Sequence, residues 1–278
     1  FMDAVELVRP HVFVMENVKA LARLKRWESV RKNLFERACS LRYGCALVVL
    51  NASDYGVPQA RERMFLIGAK GLSSSEVEKL VKSGLSNKKK VPLPVREILS
   101  RLPKFGTSEN PATCTAEIRL AKNPILRRSA YDGSLLFNGR GRPMDLDSVA
   151  KTLPAQMGGN HTPIVNQIIL DDASAPDWIV QYHDGLRQGN ITPAKATVPD
   201  SLRRLTVREA AALQTFPANY VFCGSTSKKY RQIGNAVPCA LAEAVASTAL
   251  EVLLPCVREQ LPEKFTGHGL RPRLYSCV

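Results

Sequence analysis

Three charged side chains stand where a carboxyl group and two guanidinium groups could act on a bound ligand. Glu16 directly follows the apolar run Val12–Met15, which predicts a buried strand that ends at a polar loop. Ligands of open α/β sheets bind beyond the carboxyl ends of strands, so this carboxyl is placed to meet one. Arg61 and Arg63 lie two residues apart, and in an extended segment both guanidinium groups emerge on one face. Two fixed donors of this kind can stabilise negative charge that develops on a ligand.

Each of these features also has an ordinary structural explanation. Glu16 could begin a helix and interact with its dipole, and the two arginines could form a solvated strand end. A third polar segment, Gly234–Pro238, precedes a predicted helix whose N–H groups favour polar or anionic ligand groups. Taken alone, an Asn before a helix, such as Asn235, commonly serves only as a cap.

The elements that would position these residues alternate between strand and helix patterns over short loops, as in an α/β sheet. Strands are predicted at Val12–Met15, Cys45–Leu50 and Met64–Gly68. Between the first two strands, apolar residues at helical spacing predict one basic amphipathic helix over about 19–41, with Leu24, Trp27 and Val30 on its apolar face. Gly44 is placed to terminate that helix.

Beyond the third strand the sequence becomes rich in Ser, Lys and Pro, which predicts a second, loop-rich domain. Short strands are expected at Ile164–Leu170 and Trp178–Tyr182. Thr206, followed three residues later by Glu209, has the pattern of a capping box at the start of a helix. The Ala-rich run from Pro238 to Leu254 predicts the last helix.

Composition limits the class of protein. With 278 residues, 45% of them hydrophobic, the chain can bury a full core, and its net charge of +14 favours polyanionic partners such as nucleic acid. Seven dispersed cysteines form no CxxC pair, so we expect neither a zinc site nor a disulfide framework. We find neither a signal-peptide pattern nor a run of about 18 apolar residues, so we expect an intracellular protein, in the cytoplasm or nucleoid or nucleus, without a membrane partner.

Four separated segments resemble the motifs of one enzyme family, the DNA cytosine-5 methyltransferases. The family motifs are Glu-Asn-Val, Gln-x-Arg-x-Arg, Arg-x-Leu-Thr-x-Arg-Glu and Gly-Asn-x-Val. The matching segments, in chain order, are 10–18, 51–63, 203–209 with 213–217, and 232–238. The resemblance runs from about residue 5 to residue 250.

The resemblance implies an α/β fold: a partial Rossmann-like methyltransferase sheet with a smaller, loop-rich target-recognition domain. Residues 1–85 would form the later half of the catalytic α/β domain. Residues 86–233 would form the target-recognition domain, and residues 234–278 a helix that returns to the catalytic domain, with a tail.

It also implies a reaction. In this family a cysteine thiolate adds to C6 of a cytosine flipped out of duplex DNA, and C5 then accepts a methyl group from S-adenosylmethionine. By resemblance, Glu16 hydrogen-bonds N3 and the exocyclic amine of the base, and Arg61 and Arg63 lie against its O2 and the nearby catalytic site. Asn235 and Ala236 would close the cofactor pocket.

Seven further residues are candidates for DNA binding. The family places the third motif beside the recognition domain and the DNA backbone, which implies contacts from Arg203, Arg204 and Arg208. The loop-rich segment is rich in Arg, Lys, Asn and Gly, which suits phosphate contacts and the reading of base edges. Its candidates are Arg140, Arg142 and Asn160, together with the neighbouring His161.

The sequence departs from the family in two loops. The Pro-Cys-Gln loop that carries the nucleophile and the Gly-rich loop that grips the cofactor do not occur among these 278 residues. Neither Pro238-Cys239 nor Pro255-Cys256 precedes a Gln or follows a strand, so we do not expect either thiol to be the nucleophile. The chain could be a fragment, one subunit of a split enzyme, or a truncated permuted enzyme, and we favour the fragment.

Two other functions stay open at this point. One is a catalytically inactive DNA-binding and recognition subunit of a split methyltransferase, and the other is a methyltransferase that acts on RNA. The intact set of Glu16, Arg61, Arg63 and Asn235 favours the DNA-modifying enzyme. We therefore expect the isolated chain to bind DNA weakly and to transfer no methyl group until a separate part supplies the missing loops.

Overall fold

The structure, a computed structural model, describes residues 1–132, 134–136 and 142–259. Its strands are β1 (Val12–Val18), β2 (Tyr43–Asn51), β3 (Gln59–Ala60), β4 (Glu62–Lys70), β5 (Leu120–Ile125), β6 (Ser134–Leu136), β7 (Ala150–Lys151), β8 (Ile164–Asn166) and β9 (Leu202–Arg204). Its α-helices are α1 (Met2–Val8), α2 (Lys19–Arg23), α3 (Glu28–Ser40), α4 (Ser74–Ser86), α5 (Val95–Ser100), α6 (Gln167–Asp171), α7 (Trp178–Arg187), α8 (Val207–Leu213), α9 (Thr226–Asn235), α10 (Cys239–Thr248) and α11 (Leu254–Glu259).

By packing, the chain divides into two compact units. The first contains residues 1–48, 64–87 and 245–278, and the second contains residues 49–63 and 88–244. The segment 49–63, which carries Arg61 and Arg63, therefore packs with the second unit, whereas the sequence-based division assigns it to the catalytic domain. The division by packing does not test whether residues 86–233 recognise a target, so that assignment stays a prediction.

A three-stranded sheet in the order β1-β4-β2 dominates the first unit. The end of β4 is hydrogen-bonded to the residues that precede each neighbouring strand. Lys70 N donates to His11 O at 2.9 Å, next to the start of β1, and Gly71 N donates to Arg42 O at 3.0 Å, next to the start of β2. The central strand β4 is therefore antiparallel to both neighbours. Its residues 64–69 are all buried, as expected for a strand covered on both faces. All three predicted strands are confirmed.

Small strand pairs and two apolar clusters build the second unit. Strand β3 pairs in parallel with β7, while the pairs β5–β6 and β8–β9 are antiparallel. One cluster packs α5, α8 and α9 around Leu205 and Tyr230. The other packs β6, β8 and α7 around Ile164 and Tyr182. The predicted loop-rich character is confirmed, since most of these elements are three to ten residues long.

The single helix predicted over 19–41 is wrong. The chain forms α2, a 3-10 turn at Lys25–Trp27 and then α3, because Leu24 adopts an extended backbone with ψ at 136°. Gly44 does not end the helix. It lies inside β2, where an added Cβ would stand 2.4 Å from the main-chain oxygen of Leu72, so the glycine is there for close packing of backbones.

Two further expectations are corrected. Trp178–Tyr182 is the start of α7 rather than a strand, because Asp177 accepts a hydrogen bond from Ile179 N as an N-cap. Of the stretch Ile164–Leu170 only Ile164–Asn166 is a strand, and α6 follows at once. Helix α4, within a stretch interpreted from its composition alone, begins with a capping box at Ser73.

The predicted start of α8 is confirmed, whereas the single helix predicted from Pro238 to Leu254 is not one regular α-helix: α10 ends at Thr248, and a π-helix at Ala249–Leu253 precedes α11. Thr206 caps α8 and forms the capping box with Glu209. Pro238 accepts the first bond of α10 from Ala242 N at 2.9 Å. The run Thr226–Glu251 is long and apolar enough to cross a membrane by composition, but α9 ends at Asn235 and α10 begins at Cys239. Of the most apolar window of this run, 44% is buried.

Candidate functional site

Glu16 lies on β1 itself, and not beyond its end as the sequence predicts. Phe13 and Met15 point into the core of the first unit, Val12 is half-buried, and Val14 and residues 16–18 are exposed. A strand can continue through polar residues when their face is open, because its pairing depends on the backbone. The carboxyl is therefore held by a buried strand and presented on its open face.

Phe13 fixes the position of β1. Its ring packs edge-on against Tyr43 at 5.3 Å between centroids, and it fills the space beside Gly68, where an added Cβ would stand 2.2 Å from it. The Tyr43 hydroxyl donates to Pro10 O at 2.5 Å, just before the strand. These contacts anchor the strand that carries Glu16 from its buried side.

Arg61 is enclosed in the second unit, with 1% of its surface exposed. Its Nη1 donates to Leu153 O at 3.1 Å and its Nη2 donates to Gly234 O at 2.6 Å. Hydrogen bonds of this kind anchor the guanidinium group to main chain on two other segments. The guanidinium group is thus held by main chain, and the contact with the base that the resemblance implies stays a prediction.

Arg63 differs from Arg61 in its surroundings. Its side chain is partly exposed, and its Nη1 donates to Glu62 O at 2.8 Å. The two arginines thus stand in one short segment, one enclosed by protein and the other near the surface. Of the predicted pair, Arg63 is the one whose guanidinium group is placed to meet a ligand.

The Gly234–Pro238 segment begins at the end of α9. Carbonyl oxygens in the last turn of a helix have no partner within the helix. Two side chains supply partners here: Gln214 Nε2 donates to Ile233 O at 2.7 Å and Arg61 donates to Gly234 O. A cation at the carboxyl end of a helix also complements its dipole. Asn235, which follows, is exposed, and Ala236 is half-buried.

Sequence reasoning missed the supporting glutamines of this region. Gln59 is fully buried, and its Oε1 accepts from Leu153 N at 3.0 Å, next to the carbonyl that Arg61 contacts. Gln214 is equally buried and also accepts from Cys239 N through its own main-chain oxygen, at 3.1 Å. Gln59 lies in the motif segment 51–63 and Gln214 in the motif segment 213–217. A Gln between apolar neighbours was the sequence feature that could have indicated a buried amide.

Arg203 and Arg204 are buried, at 8% and 3% exposure. Arg203 forms a two-pronged ion pair with Glu209, at 2.8 and 2.7 Å, and stacks on Phe105 at 4.1 Å. Arg204 donates to four main-chain oxygens, and burial lowers the pKa of its guanidinium group. Guanidinium groups engaged in this way hold parts of the second unit together, and DNA contact by either residue stays a prediction.

The other DNA-binding candidates lie nearer the surface. Arg208 is partly exposed and donates to Glu109 O at 2.9 Å. Arg142 and Asn160 are exposed, and His161 is partly exposed. Arg140 lies outside the described residues.

Arg142 lines a cleft of about 260 Å³. Its Nη1 donates to Asp132 O at 2.7 Å, and Lys151 forms an ion pair with the Asp132 carboxylate on the same cleft. The Lys151 pair lowers the pKa of Asp132, so this carboxyl stays charged beside the two cations. The cleft therefore offers both donors and acceptors, which is the combination that base edges require.

Two of the cysteines, Cys45 and Cys239, are shielded by the fold. Burial raises the pKa of the Cys239 thiol, and it raises that of Cys45 to about 12. Thiol reactivity depends on the thiolate, so both groups are poor nucleophiles. Within the part of the chain that the structure describes, no group of three His, Cys, Asp or Glu side chains could hold a metal ion.

The architecture is that of known methyltransferases. Among solved structures, Dnmt2 methyltransferase of S. pombe aligns over 90% of this chain and 70% of its own, with a TM-score of 0.52 and 17% identity. The Entamoeba histolytica methyltransferase EhMeth aligns over 87% of this chain and 63% of its own, with a TM-score of 0.53 and 12% identity. At these identities the likeness shows the fold, a mixed α/β fold with a Rossmann-like methyltransferase sheet.

Sequence comparison defines the family. The sequence profile of the C-5 cytosine-specific DNA methylases matches residues 1–251, and the chain belongs to this family. It is 30% identical over 256 residues to the type II methyltransferase M1.HphI of Haemophilus parahaemolyticus, covering 91% of this chain and 60% of that protein. It is also 30% identical over 260 residues to M.BsuRI of Bacillus subtilis, covering 89% and 51%. The chain thus spans between half and two thirds of the length of these curated relatives.

Proposed function

We propose that this chain is the portion of a DNA cytosine-5 methyltransferase that holds and recognises the target cytosine, and that it acts with a part carrying the nucleophile and the cofactor loop. The observation that supports this most directly is the open-face carboxyl of Glu16 on an anchored strand, in a chain that belongs to the family. The substrate is duplex DNA, and the setting is intracellular.

Glu16 and Arg63 carry the proposed chemistry of this chain. A carboxyl group that hydrogen-bonds N3 and the exocyclic amine stabilises the charge produced when a thiolate adds to the ring. Arg63 would donate to O2 of the same base, and Arg61 would hold the segment that presents it. The contacts of Arg61 with two main-chain carbonyls support that division of roles.

S-adenosylmethionine would supply the methyl group. The residues available here fit one side of such a ligand: the exposed amide of Asn235 and the half-buried Ala236 stand just before the first turn of α10. A side-chain amide can hydrogen-bond polar groups of the ligand. The remaining contacts are expected from the complementary part of the enzyme.

DNA contacts are proposed for the near-surface candidates, Arg208, Arg142 and Asn160, and for Arg140. An inactive recognition subunit of a split methyltransferase is the second candidate function. It would retain these DNA contacts but would not support methyl transfer when the complementary part is supplied.

The test is transfer of tritiated methyl groups to duplex DNA, with the chain alone and with a complementary part that carries the Pro-Cys-Gln and Gly-rich loops. We expect no transfer by the chain alone and transfer by the complemented enzyme. Glu16→Gln should lower turnover by about 100-fold or more and leave the Kd for DNA within a few-fold. Glu78→Gln, an exposed change on α4 in the same unit, is the matched control and should have normal turnover.

Two outcomes would count against the proposal. Normal turnover with Glu16→Gln would remove the assignment of that residue. A complemented enzyme that binds DNA but never transfers a methyl group would favour the inactive recognition subunit.

A further inference from the structure

An exposed turn, residues 23–30, connects α2 with α3 in the first unit. All eight of its residues are exposed. Three of them, Leu24, Trp27 and Val30, are large apolar residues with 42%, 38% and 40% of their surface exposed, although their spacing predicts a buried helix face. Single exposed apolar residues are common, but three in one short turn indicate a surface that contacts something.

The same turn is strongly basic. Residues 19–32 contain six Lys and Arg against one Glu, and Arg23, Lys25 and Arg26 fall within four positions. The Arg26 guanidinium carbon lies 5.6 Å from the centroid of the Trp27 ring, in cation–π contact. The turn therefore offers a flat ring and three cations on one exposed loop.

The conformation of the turn is fixed by Arg31. Its Nη1 donates to Leu21 O at 2.8 Å and to Leu24 O at 2.9 Å, the carbonyls left at the end of α2 and at the helix break. These bonds satisfy backbone groups that would otherwise rely on water. The cations are thus presented on a braced turn, which lowers the entropy lost when a partner binds.

We propose that the exposed turn of the first unit contacts the DNA backbone. Arg23, Lys25 and Arg26 would bind phosphates, and Trp27 would pack against a sugar or an unstacked base. This inference rests on the proposed function, which supplies duplex DNA as the substrate. Duplex DNA presents about one negative charge per 1.7 Å of its axis, a density that matches three cations in four residues. Aromatic rings beside cations are the common means of holding an unstacked base.

The first test compares the salt dependence of DNA binding, measured by fluorescence anisotropy with a labelled duplex and the full chain. Each phosphate contact contributes about 0.9 to the slope of log K against log salt concentration. Lys25→Ala with Arg26→Ala should therefore lower the slope by about 1.8. The matched control is Lys79→Ala with Lys82→Ala, two exposed cations of α4 in the same unit, and it should keep the wild-type slope.

The second test uses Trp27 as its own reporter. The chain has two tryptophans, so Trp178→Phe leaves Trp27 as the single one. We expect saturating duplex DNA to quench or shift this fluorescence, and we expect no such change in the matched variant Trp27→Phe, which reports from Trp178 alone.

The outcomes separate this inference from the proposed function. If the wild-type chain and the complemented enzyme both fail to bind DNA, the proposed function fails and the inference fails with it. The wild type could bind DNA while Lys25→Ala with Arg26→Ala gives the same salt slope as Lys79→Ala with Lys82→Ala, or while the Trp27 fluorescence does not change on binding. Either result would overturn only the inference. The turn would then be a surface for a protein partner.

Discussion

The guanidinium group of Arg61 and the main-chain oxygen of Gly234 meet at 2.6 Å, although 173 residues separate them in the chain. The first belongs to the Gln-x-Arg-x-Arg segment and the second to the Gly-Asn-x-Val segment. Their contact explains why both motifs occur together: one supplies the cation that completes the end of α9 in the other. Asn235, the proposed cofactor contact, directly follows Gly234, so the hydrogen bond between Arg61 and Gly234 helps to position it.

Replacing Arg61 with Met should destabilise the second unit. The change removes two charge-assisted hydrogen bonds and leaves the carbonyls of Leu153 and Gly234 buried, and each such bond contributes about 1.5–3 kcal/mol. We expect the free energy of unfolding, from urea denaturation followed by circular dichroism, to fall by about 3 kcal/mol or more. Arg63→Met, at a partly exposed position, is the control and should cost under about 1 kcal/mol. Equal losses in the two variants would contradict the positioning role.

Breaking the ion pair of Arg203 and Glu209 from one side should be costly. Glu209 is 2% exposed, so Glu209→Gln leaves an uncompensated buried guanidinium group and weakens the capping box of α8. The expected loss is about 3–5 kcal/mol in thermal or urea unfolding. The double variant Arg203→Met with Glu209→Leu should lose less free energy of unfolding than the sum of the losses caused by Arg203→Met alone and Glu209→Leu alone. Additive losses would show that the two side chains act independently.

Gly44→Ala should destabilise the first unit through overlap with backbone. The new Cβ would stand 2.4 Å from Leu72 O and 2.5 Å from the carbonyl carbon of Ser73, neither of which can rotate away. Overpacking of this kind costs about 1–3 kcal/mol, measurable as a lower Tm. Gly159→Ala, where nothing lies within 4 Å of the added carbon, is the control and should leave the Tm nearly unchanged. A harmless Gly44→Ala would mean that β2 is more loosely packed than described.

Thiol labelling should separate the cysteines by burial. Cys39 and Cys223 are exposed and should react first with iodoacetamide at pH 8. The pKa of Cys45 is raised to about 12 and that of Cys239 is also raised, so both thiols stay protonated at pH 8 and should react only after denaturation. Peptide mass spectrometry, with and without urea, measures the order. Fast labelling of Cys239 in the folded chain would contradict its rejection as a nucleophile.

Local patterns predicted the parts of the fold that local physics determines. Apolar runs gave β2 and β4, and the spacing of Thr206 and Glu209 gave the start of α8, because side-chain periodicity and capping act within a few residues. The same reasoning failed where a distant partner decides. The helix breaks at Leu24 while Arg31, seven residues on, occupies the carbonyls of the break.

The candidate site shows the same limit. The sequence placed Arg61 and Arg63 together, but their different burial depends on Leu153 and Gly234, which only the tertiary structure brings near. Gly234 itself is explained by the main-chain oxygen of Pro154, which an added Cβ would approach to 2.4 Å. Such approaches of one backbone to another leave no periodic trace in a sequence.

Arg204 suggests how one scaffold can serve many DNA sequences. Its guanidinium group donates to the backbone oxygens of Ala116, Glu117, Asn160 and Thr162, on two loops of the second unit. A loop anchored through its main chain can exchange its side chains without losing its anchor. Under the proposed function, mutation of these loops would alter the DNA contacts of their side chains while the main-chain anchor at Arg204 is kept, so specificity and stability could evolve separately.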